Sequence, residues 1–284
     1  MLILSLLVFG TGTVGTKTRE HLETPWNPRN VCPASLCPTT AFPGSNASGY
    51  SYFTVPSSTQ YLAIYMWGAG GPSGQLGRAG GYGAFIAGAL RVESGEALRL
   101  IVGATQGETD FEGCGGPMPL TDDNFMPTIW AGGRSAVQRR APGGEWVELA
   151  TAGGGGEGNY YSGGHAGQGL EGHGSESTPG GKSRNYNGSC QVGARGCGGA
   201  AVDGFHGGGG GGYCGGLGGD GGGGGSSNPS QLLCASTADY FAGNFSDTPY
   251  GAGGGAGTPF IDGAIFIAVL PPSWKPCTDP SSSF

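Results

Sequence analysis

The chain has 284 residues, 65 of them glycine and 19 proline, with only 12 % charged residues and a formal net charge of −7. Glycine and proline at this level suggest low complexity, but disordered chains carry more charge than this one. A mildly acidic chain with few cations excludes a nucleic-acid partner as the working expectation, because such a partner calls for a basic face.

The elements follow in chain order. Leu2 to Phe9 is apolar and gives way to small residues. Residues 1–16 therefore read as a signal peptide without a basic start or as a buried apolar strand, and the run is too short to span a bilayer. Residues 17–49 read as a polar, proline-rich arm. Strands are predicted at "YSYFTV" (50–55), "QYLAIYMW" (60–67), "YGAFIAGALRV" (82–92) and "ALRLIVGA" (97–104). The last two flank "ESGE", a hairpin turn. A second hairpin is predicted from "RSAVQRR" (134–140) and "EWVELATA" (145–152) around "APGG". The last predicted strand is "AIFIAVLP" (264–271), and 272–284 reads as a tail. No helical period is visible. The runs suffice for an all-β sandwich, placing one glycine-rich β domain over 50–271.

Between the last two strands lies a stretch, 153–257, with 40 glycines in 105 residues. A structureless loop of that length inside a compact domain is improbable. Ordering it costs on the order of 100–200 kcal/mol at about 1–2 kcal/mol per residue, and apolar burial is too scarce here to offset that. The remaining source is backbone hydrogen bonding. An extended helix of three residues per turn pairs none of its own N–H and C=O groups. Several such helices can bond to one another if glycine lets their axes approach. The spacing of Gly163, Ala166, Gly169 and Gly172 shows that period. Tyr160, Tyr161, Tyr186, Tyr213, Tyr240 and Phe241 punctuate the region and read mainly as packing at its rim.

Eight cysteines, Cys32, Cys37, Cys114, Cys190, Cys197, Cys214, Cys234 and Cys277, form an even set without a tight CxxC pair. That pattern fits disulfides better than zinc and leaves their connectivity open. Sequons stand at Asn46, Asn187 and Asn244. Together these features point to a secreted, glycosylated, disulfide-linked protein.

In order and spacing, "WGAGG" (67–71), "GGYGAFIAGAL" (80–90), "SGEALRLIVG" (94–103), "GGRSAV" (132–137), "ATAGGGGEG" (150–158) and "GGGGGSS" (221–227) resemble the glycine-rich domain of the anaplastic lymphoma kinase and leukocyte tyrosine kinase receptors. The resemblance covers about residues 50–270. It implies a β-sandwich of tumour-necrosis-factor-like or jelly-roll type, with long insertions packed as polyglycine-II helices. It also implies a part in recognising protein ligands. No ligand-contact residue of the receptors can be carried over to a position here.

The chemical motifs are weak. "WGAGGPS" (67–73) lacks the third glycine of a dinucleotide turn, and "GGKS" (180–183) lacks the first glycine of a phosphate loop. No G-x-S-x-G elbow occurs. His206 reads as a spacer at a bend, and His165, His173 and Glu171 lack helical ligand spacing. "GGLGGD" (215–220) matches the start of a calcium nonapeptide, but Gly222 stands where a large apolar residue belongs, and there is one copy. Arg139 and Arg140 read as a solvated strand end. The expectation is a non-enzymatic extracellular structural subunit without cofactor or metal, acting by self-association. The alternative is an adhesin or recognition module for a protein or glycan.

Overall fold

The computed structural model describes residues 39–43, 50–73, 78–104, 131–158, 198, 207–213, 215–216, 222, 224–225, 227–238 and 262–276. Among them the fold is all-β. The strands are β1 (Thr39–Pro43), β2 (Ser51–Thr54), β3 (Tyr61–Trp67), β4 (Phe85–Arg91), β5 (Ala97–Ile101), β6 (Ser135–Arg140), β7 (Trp146–Ala152), β8 (Leu232–Ala238) and β9 (Ala264–Val269). They form a five-stranded sheet, β1-β9-β3-β4-β8, and a four-stranded sheet, β2-β5-β6-β7. Every strand pairing is antiparallel. Among the described residues no helix is long and apolar enough to cross a membrane.

Alternation explains the core. Leu62, Ile64 and Met66 on β3, Ile86 and Leu90 on β4, and Ile265 and Ile267 on β9 face Leu98, Leu100 and Val137 of the other sheet. Each large aliphatic so buried contributes on the order of 2 kcal/mol. The intervening residues of β3, β4 and β9 form a second apolar layer, with Tyr65, Trp67, Phe85 and Phe266 among alanines. Trp67 contacts both Phe85 and Phe266, at 4.7 and 5.8 Å between ring centroids. Two buried faces are why these strands read as unbroken apolar runs rather than as alternating ones. Tyr65 lies 3 % exposed in the second layer, and burial pushes its phenol up to about 12.

The seven predicted strands are present with slightly shorter ends. Both predicted hairpin turns carry a glycine of positive φ, Gly95 at 78° and Gly144 at 90°. Two strands lie where none was expected. β1 comes from the proline-rich arm and pairs with β9. β8 lies inside the 153–257 stretch and pairs with β4 across a bulge beside Gly88, where a Cβ would meet the Leu232 Cβ at 2.7 Å. The start of the expected tail is docked as well, since Trp274 packs on Tyr61 at 5.0 Å. β1 is short, and β8 is rich in small residues. Their pairing depends on neighbours distant in sequence rather than on their own pattern.

Candidate functional site

Two features stand apart from an ordinary sandwich. The first is a lattice of backbone at the Trp67 end of the sheets. Chain segments leave the strands there as 68–73, 78–84, 102–104, 131–134 and 153–158, and they are joined by 207–212, 222 and 224–225. The segment 153–158 is central, and its bonds repeat every three residues. The C=O groups of Gly153 and Gly156 accept from the N–H groups of Ala84 and Gly81. Those of Gly154 and Glu157 accept from Gly225 and Gly222. The N–H groups of Gly154 and Glu157 donate to Gly211 and Gly208, and those of Gly155 and Gly158 donate to Ala69 and Pro72. The C=O of Gly155 accepts from Gly132 at 2.8 Å.

One segment thus bonds to five others, which a flat strand with two neighbours cannot do. A repeat of three is the period of an extended helix that leaves its polar groups free for neighbours. The axes are close enough to exclude side chains. A Cβ on Gly154 would overlap the carbonyl of Gly132 and stand 2.7 Å from the Gly133 oxygen. A Cβ on Gly222 would overlap the carbonyl of Gly208. Ser135 seals the lattice to both sheets. Its hydroxyl donates to the Trp67 carbonyl at 2.6 Å and accepts from the Gly103 N–H at 3.0 Å.

Within this lattice sits Glu157, 2 % exposed. The Gly208 N–H donates to its Oε2 at 3.0 Å. Burial pushes the carboxyl up to about 7 from 4.5, against the lowering effect of that bond.

The second feature lies on the outer face of the four-stranded sheet. Tyr52, Arg99, Gln138 and Glu148 stand in one row, one from each strand. Arg99 Nε donates to Gln138 Oε1 at 2.6 Å, and Gln138 Nε2 donates to Glu148 Oε2 at 3.3 Å. Glu148 also pairs with Arg134 Nη1 and accepts from the Thr151 hydroxyl. Arg134 is 3 % exposed, and its Nε has no hydrogen-bond partner among the described residues. The Arg99 guanidinium lies 4.5 Å from the Tyr50 ring centroid and 4.8 Å from that of Trp146. Tyr52, 60 % exposed, rests on Trp146 at 6.0 Å. The row is a buried polar network with a partly exposed aromatic rim.

The sequence-predicted site residues fall unevenly. Cys234 is the one cysteine among the described residues. It lies in β8 at a φ of 53° and is disulfide-bonded. Cys32, Cys37, Cys114, Cys190, Cys197, Cys214 and Cys277, the sequons Asn46, Asn187 and Asn244, and residues 1–16 lie outside the described residues. So do His165, Glu171, His173, the 180–183 segment, His206 and Asp220. The period at Gly163, Ala166, Gly169 and Gly172, and the aromatics Tyr160, Tyr161, Tyr186, Tyr240 and Phe241, lie outside them too. Tyr213 is half-buried. Arg139 pairs with Glu96 and donates to the Arg91 carbonyl at 2.8 Å, closing the far end of the sandwich. The "WGAGGPS" turn is part of the lattice.

Sequence reasoning missed Glu157, Ser135 and the Arg99–Gln138–Glu148–Arg134 network. The network left one trace: Arg99 interrupts the otherwise apolar strand Ala97–Ile101.

The class these features define is an all-β protein of two antiparallel sheets carrying a backbone-bonded glycine lattice on one end. No protein-family model matches the chain, and no curated protein matches it.

Proposed function

We propose that the protein is a secreted, non-enzymatic structural subunit that self-associates in an extracellular coat, matrix or filament. The observation that carries this reading is the lattice. Glycines that exclude even a methyl group supply hydrogen bonds without side chains, which makes a stiff body with few groups available for chemistry. The charged groups inside the sheets are engaged with one another, as in the Arg134–Glu148 pair. Eight cysteines and three sequons support the extracellular setting. On this reading the sandwich is of jelly-roll or tumour-necrosis-factor type, and the bonded glycine segments are polyglycine-II helices. Sedimentation velocity and negative-stain imaging of the purified chain test it. Ordered oligomers or filaments are expected, and a strict monomer across the accessible concentration range refutes self-association.

A second reading, a recognition module for a protein or glycan, is favoured by the aromatic rim. Tyr52 is 60 % exposed and is ordered by Trp146 beneath it. Rigid Tyr and Trp give contact area at low conformational cost. The resemblance to receptor glycine-rich domains supports the same reading. Protein and glycan arrays probed with the intact chain, beside the Tyr52→Ala and Trp146→Ala variants, distinguish the two. A ligand lost with both variants favours recognition.

A further inference from the structure

Glu157 is the one charged residue of the central segment 153–158. An ionised carboxylate accepts about four hydrogen bonds when solvated. Here the described residues offer it one, from Gly208. The same two residues are joined again by the Glu157 N–H donating to the Gly208 carbonyl at 2.9 Å, and the Gly222 N–H donates to the Glu157 carbonyl at 2.8 Å. The carboxyl group therefore sits where three segments meet.

No cation compensates it among the described residues. Segment 68–73 holds no charged residue, and 207–212 and the described positions of 222–225 are glycine. On 78–84 the titratable groups are Arg78, whose carbonyl lies against Gly158 while its side chain is exposed, and the exposed Tyr82. On 131–134 the charged group is Arg134, held by Glu148.

We infer that Glu157 is a proton-operated latch on the lattice: neutral, it lets 207–212, Gly222 and Gly225 close on 153–158; ionised, it draws in water and releases them. Burial without a counter-charge disfavours the ionised form. The direction follows from linkage. Between pH 4.5 and about 7 the closed lattice holds a proton that an opened, solvated carboxyl has given up. Closure is therefore strongest below that window and weakens as pH rises through it. A difference of this size corresponds to a fall of about 300-fold in the closing equilibrium, at tenfold per pKa unit. The latch is independent of whether the protein assembles or binds a ligand.

Hydrogen–deuterium exchange of the full chain at pH 5 and pH 8.5, expressed relative to intrinsic exchange at each pH, tests this. Protection over 153–158, 207–212, Gly222 and Gly225 should fall by tens- to hundreds-fold at pH 8.5, while β3 and β9 hold. Glu157→Gln should keep high protection at both values. Equal protection of the natural chain at both pH values overturns the latch. So does a Gln variant that still loses protection, or a loss shared equally by β3 and β9. If the variant does not fold, the carboxyl infrared band of glutamate-labelled natural chain decides. A protonated carboxyl persisting at pH 6 is expected, and complete ionisation of every glutamate by that pH overturns the proposal.

Discussion

Placing one methyl group in the lattice should damage it far more than placing the same group in a surface turn. Gly154→Ala puts a Cβ 2.5 Å from the carbonyl carbon of Gly132 and 2.7 Å from the oxygen of Gly133. Ordinary contact needs 3.4 Å or more, so 131–133 must retreat by roughly 1 Å. That retreat lengthens the Gly132 N–H bond to Gly155, at 2.8 Å, and the Gly211 N–H bond to Gly132, at 2.9 Å. Each bond contributes about 1 kcal/mol net, and overpacking adds roughly 1–3 kcal/mol. Against this, alanine restricts the unfolded chain and returns about 0.4–1 kcal/mol. The net loss is about 3 kcal/mol. At about 2–4 °C per kcal/mol for a domain of this size, Tm should fall by roughly 6–12 °C. Gly143→Ala is the control, because nothing lies within 4 Å of its Cβ. It should leave Tm unchanged or slightly raised. Calorimetry of both variants beside the natural chain checks the difference. Equal melting of the two variants would refute the close approach of these backbones and the lattice with it.

Other outcomes follow from the same geometry. Glu148→Ala leaves Arg134, whose side chain is 4 % exposed, buried without its partner. It should cost about 3–5 kcal/mol in denaturant unfolding, whereas the paired change Arg134→Met with Glu148→Leu should recover much of the loss. Ser135→Ala removes the acceptor of the Gly103 N–H and the donor to Trp67, and should lower stability by roughly 1–3 kcal/mol without changing the fold seen by circular dichroism. Raising pH from 4.5 to above 7 should withdraw up to about 3 kcal/mol of stability through Glu157, which holds its proton to about 7 when folded. Denaturation midpoints of the natural chain and Glu157→Gln at several pH values check this, with a flatter profile for the variant. Tyr65, whose phenol is pushed up to about 12, should stay silent in a spectrophotometric titration to pH 11 unless the chain unfolds.

The sandwich was legible because its strands announce themselves locally. A seven-residue apolar run such as β3 buries both faces, and the Gly95 and Gly144 turns supply the positive φ that a hairpin needs. The glycine excess also spoke for itself. With so little apolar surface, only backbone bonding can offset the entropy of ordering such a stretch. Which glycines join could not be read locally. Gly68, Gly71, Gly80 and Gly83 lie outside the glycine-dense stretch yet pack against its carbonyls or against one another. Glycine has no side chain to record its partner. β1 and β8 were hidden for a related reason, since they gain their stability from cross-strand neighbours rather than intrinsic preference.

The amino-acid order by itself determined that the chain is β-rich, that apolar strands lie within 60–67, 82–92 and 264–271, and that glycine backbone rather than side chains must hold the glycine-dense stretch together. Tertiary structure alone decided that 153–158 is the centre of the lattice, bonded to five other segments. It also decided that Ser135 joins the lattice to both sheets, and that Arg99, Gln138, Glu148 and Arg134 form one network. Above all it decided the state of Glu157. In sequence it is one acidic residue among glycines, and nothing local marks it as buried. Its chemistry changes only when backbone from 207–208 and 222 closes around it and water is displaced. Periodicity is a local property that a sequence displays directly, whereas desolvation depends on which distant segments come together.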